Sequence, residues 1–296
     1  MATSSLHLAL PINLDAMVRQ WLLADAPTFD VGGFVVGAQV RTARLLAKAP
    51  GVLAGRPFAQ AVFDAVGDLK VTWSMDDGQT ISHEQAAAKT CIAIVTGPAK
   101  KILLAERTAL NILSRASGVA TRSRAMVNLV RNAKWYGHVA ATRKTTPGFA
   151  LVEKYAVLVG GASTHRMDLS QMCMLKDTHV WSVGSITAAV RRAQTIAGFS
   201  QKIEVEARDL AEALEAADAG ADIVMLDNMT GEQLKKSAAA LKTRFPHVII
   251  EASGGITEAT IVNYLSPAVD VISLGMLTHG YEPLDFSLKI DRDAKL

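Results

Sequence analysis

The sequence predicts an α/β protein in which an N-terminal α+β layer precedes an incomplete parallel βα barrel, with an open doubly wound sheet as the second arrangement. Two observations lead there. From Gly137 onward, six short β-rich runs ending in polar or charged residues alternate with alanine-rich stretches of helical period, as parallel βα units require. Before residue 100 the texture differs, with apolar runs separated by Gly, Pro and Asp-Gly. Six strands fall short of the eight of a closed barrel.

The elements follow in order. Leu14, Met17, Trp21 and Leu22 recur at helical spacing, so 12–25 is a helix, with Asn13 or Asp15 near its start. Residues 31–40, 71–75 and 91–96 read as strands, Asp77-Gly78 as a hairpin turn, and 57–66 as a helix with proline early, where it is tolerated. Two helices are expected over 101–117 and 120–132. The six barrel strands fall at 138–144, 172–177, 202–207, 223–228, 248–253 and 269–275, with helices over 185–197, 210–219, 230–242 and 258–265. The expected domains are 1–117 and 118–277, with the tail 278–296 packing back on the first.

Composition sets limits on function. The 296 residues are 50% hydrophobic and 20% charged, which suits a globular chain with an ample core. A net charge of +3 without a basic stripe argues against a nucleic-acid partner, yet fits a few cationic pockets. Cys91 and Cys173, each in an apolar run, read as core residues of a reduced compartment. The segment from Leu6 to Pro11 lacks the features of a secretory signal and no apolar run reaches membrane-spanning length, so no membrane association and a cytoplasmic location are expected. Neither a G-x-G-x-x-G after a strand nor a P-loop occurs, and the histidines show no metal spacing.

The residues that end the strands are informative, because barrel chemistry gathers at the C-terminal strand ends. In order these are Arg143-Lys144, Lys176-Asp177, Glu206, Asp227-Asn228, Ser253-Gly254-Gly255 and Leu274-Gly275-Met276, with His165-Arg166 in an additional loop. Arg143, Arg166 and His165 offer donors to planar carboxylates. Lys144 and Lys176 are compact cations suited to phosphate oxygens. Glu206 and Asp227 are hard oxygen groups for Mg2+ or for ribose hydroxyls. Gly254, Gly255 and Gly275 allow backbone to approach a phosphate, with helix starts near Thr257 and beyond Gly275 aimed at it. Each has an ordinary alternative. A loop lysine is usually a solvated charge, Asp227 could cap a helix, and Glu204 rivals Glu206 on the same strand face.

These residues resemble a known family. Glu106 to Asn111 with Ser117-Gly118, Thr142 to Gly148, Glu153-Lys154-Tyr155 through Gly160-Gly161, His165 to Leu169, Lys176-Asp177-x-His179, Glu204 to Glu206, Leu226-Asp227-Asn228, Glu251 to Ile256 and Gly275 are similar to the motifs of quinolinate phosphoribosyltransferases, with an N-terminal texture nearest the eukaryotic enzymes. The resemblance covers essentially the whole chain. It implies an N-terminal open α/β sandwich, an incomplete six-stranded α/β barrel, and a homodimer, which some family members extend to a hexamer. It also implies quinolinate and phosphoribosyl pyrophosphate as substrates, with nicotinate mononucleotide, pyrophosphate and CO2 as products.

Under that resemblance Arg107 from the partner, Arg143, His165 and Arg166 bind the dicarboxylate. Lys144 and Lys176 serve the substrate anions and pyrophosphate, and Glu206 and Asp227 serve the ribose hydroxyls and, indirectly, Mg2+. Ser253, Gly254, Gly255 and Gly275 surround the 5-phosphate, and Thr142, Leu274 and Met276 are further substrate-binding residues. Two departures stand out: Thr178 where the family has asparagine, and Ala150 where it has arginine. The alternatives are a related phosphoribosyltransferase with another acceptor, such as the paralogues of molybdate-transport operons, and a silent anion-binding homologue.

Overall fold

The strand Val40–Ala47 alternates, burying Ala43, Leu45 and Ala47 while Arg44 faces solvent, the period of a half-buried strand. It is flanked by Phe286–Ile290 and Cys91–Pro98, and the latter also pairs with Lys70–Trp73, giving a four-stranded antiparallel sheet. The computed structural model describes residues 3–292, and the chain forms two units. The first holds this sheet and comprises the described residues up to Arg124, Thr146–Gly161, and those from Tyr281 onward; the second comprises Ala125–Thr145 and Ala162–Gly280.

In the first unit the helix Arg56–Val66 carries Pro57 in its opening turn and buries Phe58, Ala59, Val62 and Phe63. Each fully buried phenylalanine contributes about 1.5–3 kcal/mol of transfer free energy. Phe58 meets Tyr155 edge-on at 5.3 Å.

Three expectations are corrected here. Residues 31–36 are a helix, Val31–Val36, because the Asp30 side chain accepts from the Gly33 amide at 2.8 Å and caps it; the strand begins only at Val40. Asp77-Gly78 makes no hairpin: Lys70–Trp73 lies in the four-stranded sheet, whereas Thr80–Ile81 pairs with Gly51–Val52. Asp77 instead turns inward, accepting from Tyr155 Oη at 2.8 Å and the Arg56 amide. Finally, 101–132 is one helix, Ala99–Asn132. Gly118 does not interrupt it; a Cβ there would sit 2.5 Å from the Glu282 carbonyl oxygen, so glycine serves close packing.

By packing the units part at Arg124/Ala125, inside that helix. Thr146–Gly161 groups with the first unit, where Arg124 donates to the carbonyls of Val159 and Gly160.

The second unit holds six parallel strands in the order His138–Ala140, Val271–Ser273, Ile249–Ser253, Ile223–Asp227, Ile203–Ala207, Cys173–Leu175. Numbered along the chain the order is 1-6-5-4-3-2, a cyclic sequence open only between strands 1 and 2. That is the connectivity of a βα barrel opened between its first and second strands, and it disfavours the doubly wound sheet, whose order reverses at a switch point.

The helices Ile186–Ala197, Leu210–Asp218 and Gly231–Arg244 are capped by Ser185, Asp209 and Thr230, whose side chains accept from backbone amides three residues on. The expected helix over 258–265 shrinks to a 3-10 turn, Ile261–Tyr264. Thr257 and Thr260 bond side chain to side chain and to backbone there, competing with helical hydrogen bonds. Among the described residues no helix is long and apolar enough to cross a membrane.

Candidate active site

Parallel strands that stop level with one another deliver their next residues to a common end. At the C-terminal ends of the six strands lies a cavity of about 510 Å3. Thr142, Arg143, Lys144, His165, Arg166, Lys176, Glu206, Asp227, Ser253, Gly254, Gly255 and Gly275 all line it. Residues from seven separate chain segments therefore share one space. Arg107, Leu274 and Met276 do not line it: Leu274 is in the core and donates its amide to the Ala140 carbonyl, Met276 opens the short helix Met276–His279, and Arg107 is exposed on the long helix of the first unit.

Local structure fixes the loops. Thr142 Oγ1 accepts from the Lys144 amide at 3.1 Å, and Thr278 Oγ1 donates to the Lys144 carbonyl at 2.6 Å, holding the Arg143-Lys144 turn to the last strand's loop. Gly275 has no room for a side chain, since a Cβ would lie 2.7 Å from His279 Nε2 and 3.0 Å from Lys144 Cδ. Gly254 adopts φ +94°, and its Cβ position falls 2.6 Å from the Asn228 amide nitrogen. Backbone therefore approaches the cavity closely at both glycine turns.

Electrostatics divide the cavity in two. Burial, and then the nearby Arg143 charge, lower the Arg166 pKa from the ordinary guanidinium value. Two like charges held together are relieved by a bound anion. On the other side Lys176 Nζ donates to Glu206 Oε2 at 3.0 Å. Burial raises the Asp227 pKa, and the Glu206 charge raises it further, against Lys176 and Lys144. Glu206 and Asp227 thus feel each other across adjacent strands and offer hard oxygens of the kind Mg2+ takes.

Beneath these groups lies a layer that the strand-end pattern does not mark. Glu204 is fully buried with both carboxylate oxygens lacking a hydrogen-bond partner. Burial and then the Glu251 charge push its pKa up to about 9, against Arg166 and Lys176. Glu204 sits two residues before Glu206, so the two share a strand face. His165 Nε2 lies 3.1 Å from Glu251 Oε2. Met174, Met225, Asn228, Glu251, Ile256 and Ser273 also line the cavity. A signal for Glu251 and Glu204 exists in the sequence: an acid inside an otherwise apolar parallel strand is rare without a partner.

A larger cavity of about 790 Å3 opens at the N-terminal strand ends, beside Trp135 and Pro267. It has none of the paired arginines or glycine turns.

Known proteins match over nearly all of the chain. The family model of the quinolinate phosphoribosyl transferase C-terminal domain matches residues 119–289, and that of the N-terminal domain matches residues 28–117. The chain is 47% identical over 290 residues to a Dictyostelium discoideum protein named nicotinate-nucleotide pyrophosphorylase (carboxylating), covering 95% of this chain and 96% of that one. To the Homo sapiens protein of the same name it is 48% identical over 280 residues, covering 95% and 92%. Among solved structures, a nicotinate-nucleotide pyrophosphorylase from Francisella tularensis superposes with a TM-score of 0.86 at 33% identity, covering 95% of this chain and 98% of that one.

Proposed function

The chain belongs to the quinolinate phosphoribosyltransferase family, and on that premise we propose how its barrel cavity works. The protein transfers the phosphoribosyl group of phosphoribosyl pyrophosphate to quinolinate and releases CO2, a step of NAD biosynthesis. The observation that supports assigning this chemistry to the cavity is the meeting of Arg143 and Arg166, Lys144 and Lys176, Glu206 and Asp227, and two glycine turns in one space.

Arg143 and Arg166 hold the two carboxylates of the pyridine ring through forked donors, which orients the ring nitrogen. Ser253, Gly254, Gly255 and Gly275 receive the 5-phosphate on backbone amides. Lys144 and Lys176 face the pyrophosphate. The bond between ribose C1 and the pyrophosphate oxygen breaks with its electron pair leaving on pyrophosphate, where the lysines meet the developing charge. The pyridine nitrogen donates its lone pair to C1. The ring is then cationic, so the bond to the 2-carboxylate breaks, CO2 departs, and the electrons remaining beside the nitrogen take a proton.

Fixed placement of both reactants does much of the work. Glu206 and Asp227 would hold the ribose hydroxyls and Mg2+, the metal through water or substrate oxygens. When bound, Mg2+ supplies further neutralisation of the leaving pyrophosphate. Arg107, exposed on its helix, is proposed to enter the cavity of a second copy, making a homodimer the working unit.

The test is direct. Incubation with quinolinate, phosphoribosyl pyrophosphate and Mg2+ is expected to release CO2 and pyrophosphate in equal amounts. Pyrophosphate release with nicotinate but not with quinolinate would overturn the reading.

A further inference from the structure

His165 has φ +56°, a left-handed backbone unusual for a residue with a side chain. The segment before it is anchored, because Ser163 donates to the Val139 carbonyl at 2.8 Å and accepts from the Ala141 amide at 2.9 Å. The imidazole ring is then fixed at both nitrogens. The Arg166 amide donates to His165 Nδ1 at 2.8 Å, so Nδ1 is an acceptor and carries no proton. Nε2 therefore carries the ring proton and faces Glu251, at 3.1 Å from Oε2 and 3.3 Å from Oε1. Glu204 Oε2 lies farther off, at 3.7 Å.

The His165 side chain is 9% exposed and that of Glu251 2%. With both nitrogens committed, the ring has no donor left for a substrate carboxylate. His165, Glu204 and Glu251 have the ligand types of a small cation site, but a protonated Nε2 has no lone pair to give a metal.

We propose that Glu251 is a positioning residue for recognition of the dicarboxylate: it holds His165 as the neutral Nε2-protonated tautomer, whose Nδ1 pins the Arg166 amide and so aims the Arg166 guanidinium into the cavity. The proposal rests on the quinolinate reading above and adds how the cavity selects that substrate. His165 acts through Arg166 rather than by touching the ring. Glu251 acts one step further back, and its carboxylate is needed as an acceptor, not as a charge.

Glu251→Gln keeps an oxygen that accepts from Nε2, whereas Glu251→Ala removes it. Glu251→Ala is expected to raise the KM for quinolinate about tenfold or more, while the KM for phosphoribosyl pyrophosphate stays within about twofold. Glu251→Gln is expected to keep the quinolinate KM within about threefold of wild type. A Gln variant as impaired as the Ala variant would overturn the proposal, as would equal increases in both KM values.

Should Glu251→Ala fail to fold, 15N spectra of the histidine-labelled wild-type protein decide the tautomer, with His165→Gln identifying the resonance. An unprotonated Nδ1 beside a protonated Nε2 is expected; a doubly protonated ring at neutral pH overturns the proposal. This measurement needs no turnover, so the tautomer and the quinolinate reading are judged separately.

Discussion

Lys176 Nζ donates to Glu206 Oε2 at 3.0 Å, joining the ends of two neighbouring barrel strands. The Lys176 side chain is 48% exposed, so the pair contributes under about 1 kcal/mol to stability. In the proposed mechanism its value lies in holding a cation where pyrophosphate charge develops. Lys176→Ala is therefore expected to lower turnover by about a hundredfold or more while the melting temperature hardly moves. Parallel losses of activity and stability, read by steady-state kinetics and thermal unfolding, would mean that the pair is structural.

The two glycines of the turn proposed to receive the 5-phosphate should differ in a defined way. Gly254 has φ +94°, and a Cβ would meet the Asn228 amide nitrogen at 2.6 Å; Gly255 has φ +62° with nothing within 4 Å of its Cβ position. Gly255→Ala bears only the left-handed backbone penalty, about 1–2 kcal/mol. Gly254→Ala adds a backbone clash, so it should melt lower than Gly255→Ala and raise the KM for phosphoribosyl pyrophosphate more than that for quinolinate. The reverse ranking in thermal unfolding would show that the Asn228 turn yields easily.

How much of this could be read from the sequence depends on what each residue answers to. Arg143, Lys176, Glu206 and Asp227 interrupt apolar runs at strand ends, and the alternation of strand and helix alone sends those ends to one side of the sheet. Gly118 and residues 31–36 were misleading for opposite reasons. Glycine after serine suggests a break, yet at 118 it answers to the approach of Glu282; valines suggest a strand, yet Asp30 caps a helix at Val31. Glu251 and Glu204 lie inside their strands, and what they do depends on His165, which arrives from a segment 39 residues before the nearer of them, 165 to 204. Nothing local encodes that meeting.

Glu204 also gives a pH prediction. Burial and the Glu251 charge let the folded carboxyl keep its proton up to about pH 9, while the unfolded chain releases it near 4.5. Between those values the native state binds more protons than the unfolded state, so this group's contribution is fully present below the window and is lost as pH rises through it. One proton corresponds to a slope of at most about 1.4 kcal/mol per pH unit. Glu204→Gln mimics the protonated acid and removes that slope. From about pH 6 to about pH 8.5 the wild-type melting temperature should fall more than that of the variant. Parallel curves would place the proton elsewhere.

The proposed sharing of sites between two copies has a sharper test than either arginine alone. Arg143 lines the cavity, and Arg107 is exposed on the long helix of the first unit. If each cavity takes Arg107 from the other copy, Arg107→Ala and Arg143→Ala are each nearly inactive as pure homodimers. In a hybrid dimer, one cavity has its own Arg143 and receives Arg107 from the other chain, while the second cavity lacks both. Random exchange of equal amounts makes half the dimers hybrid, and half of their cavities intact, so activity should return to about a quarter of wild type. The check is a mixing assay with hybrid formation followed by differently tagged chains. Hybrids that form yet stay inactive would put Arg107 outside the partner's cavity, leaving the selection of the dicarboxylate to Arg143 and Arg166 alone.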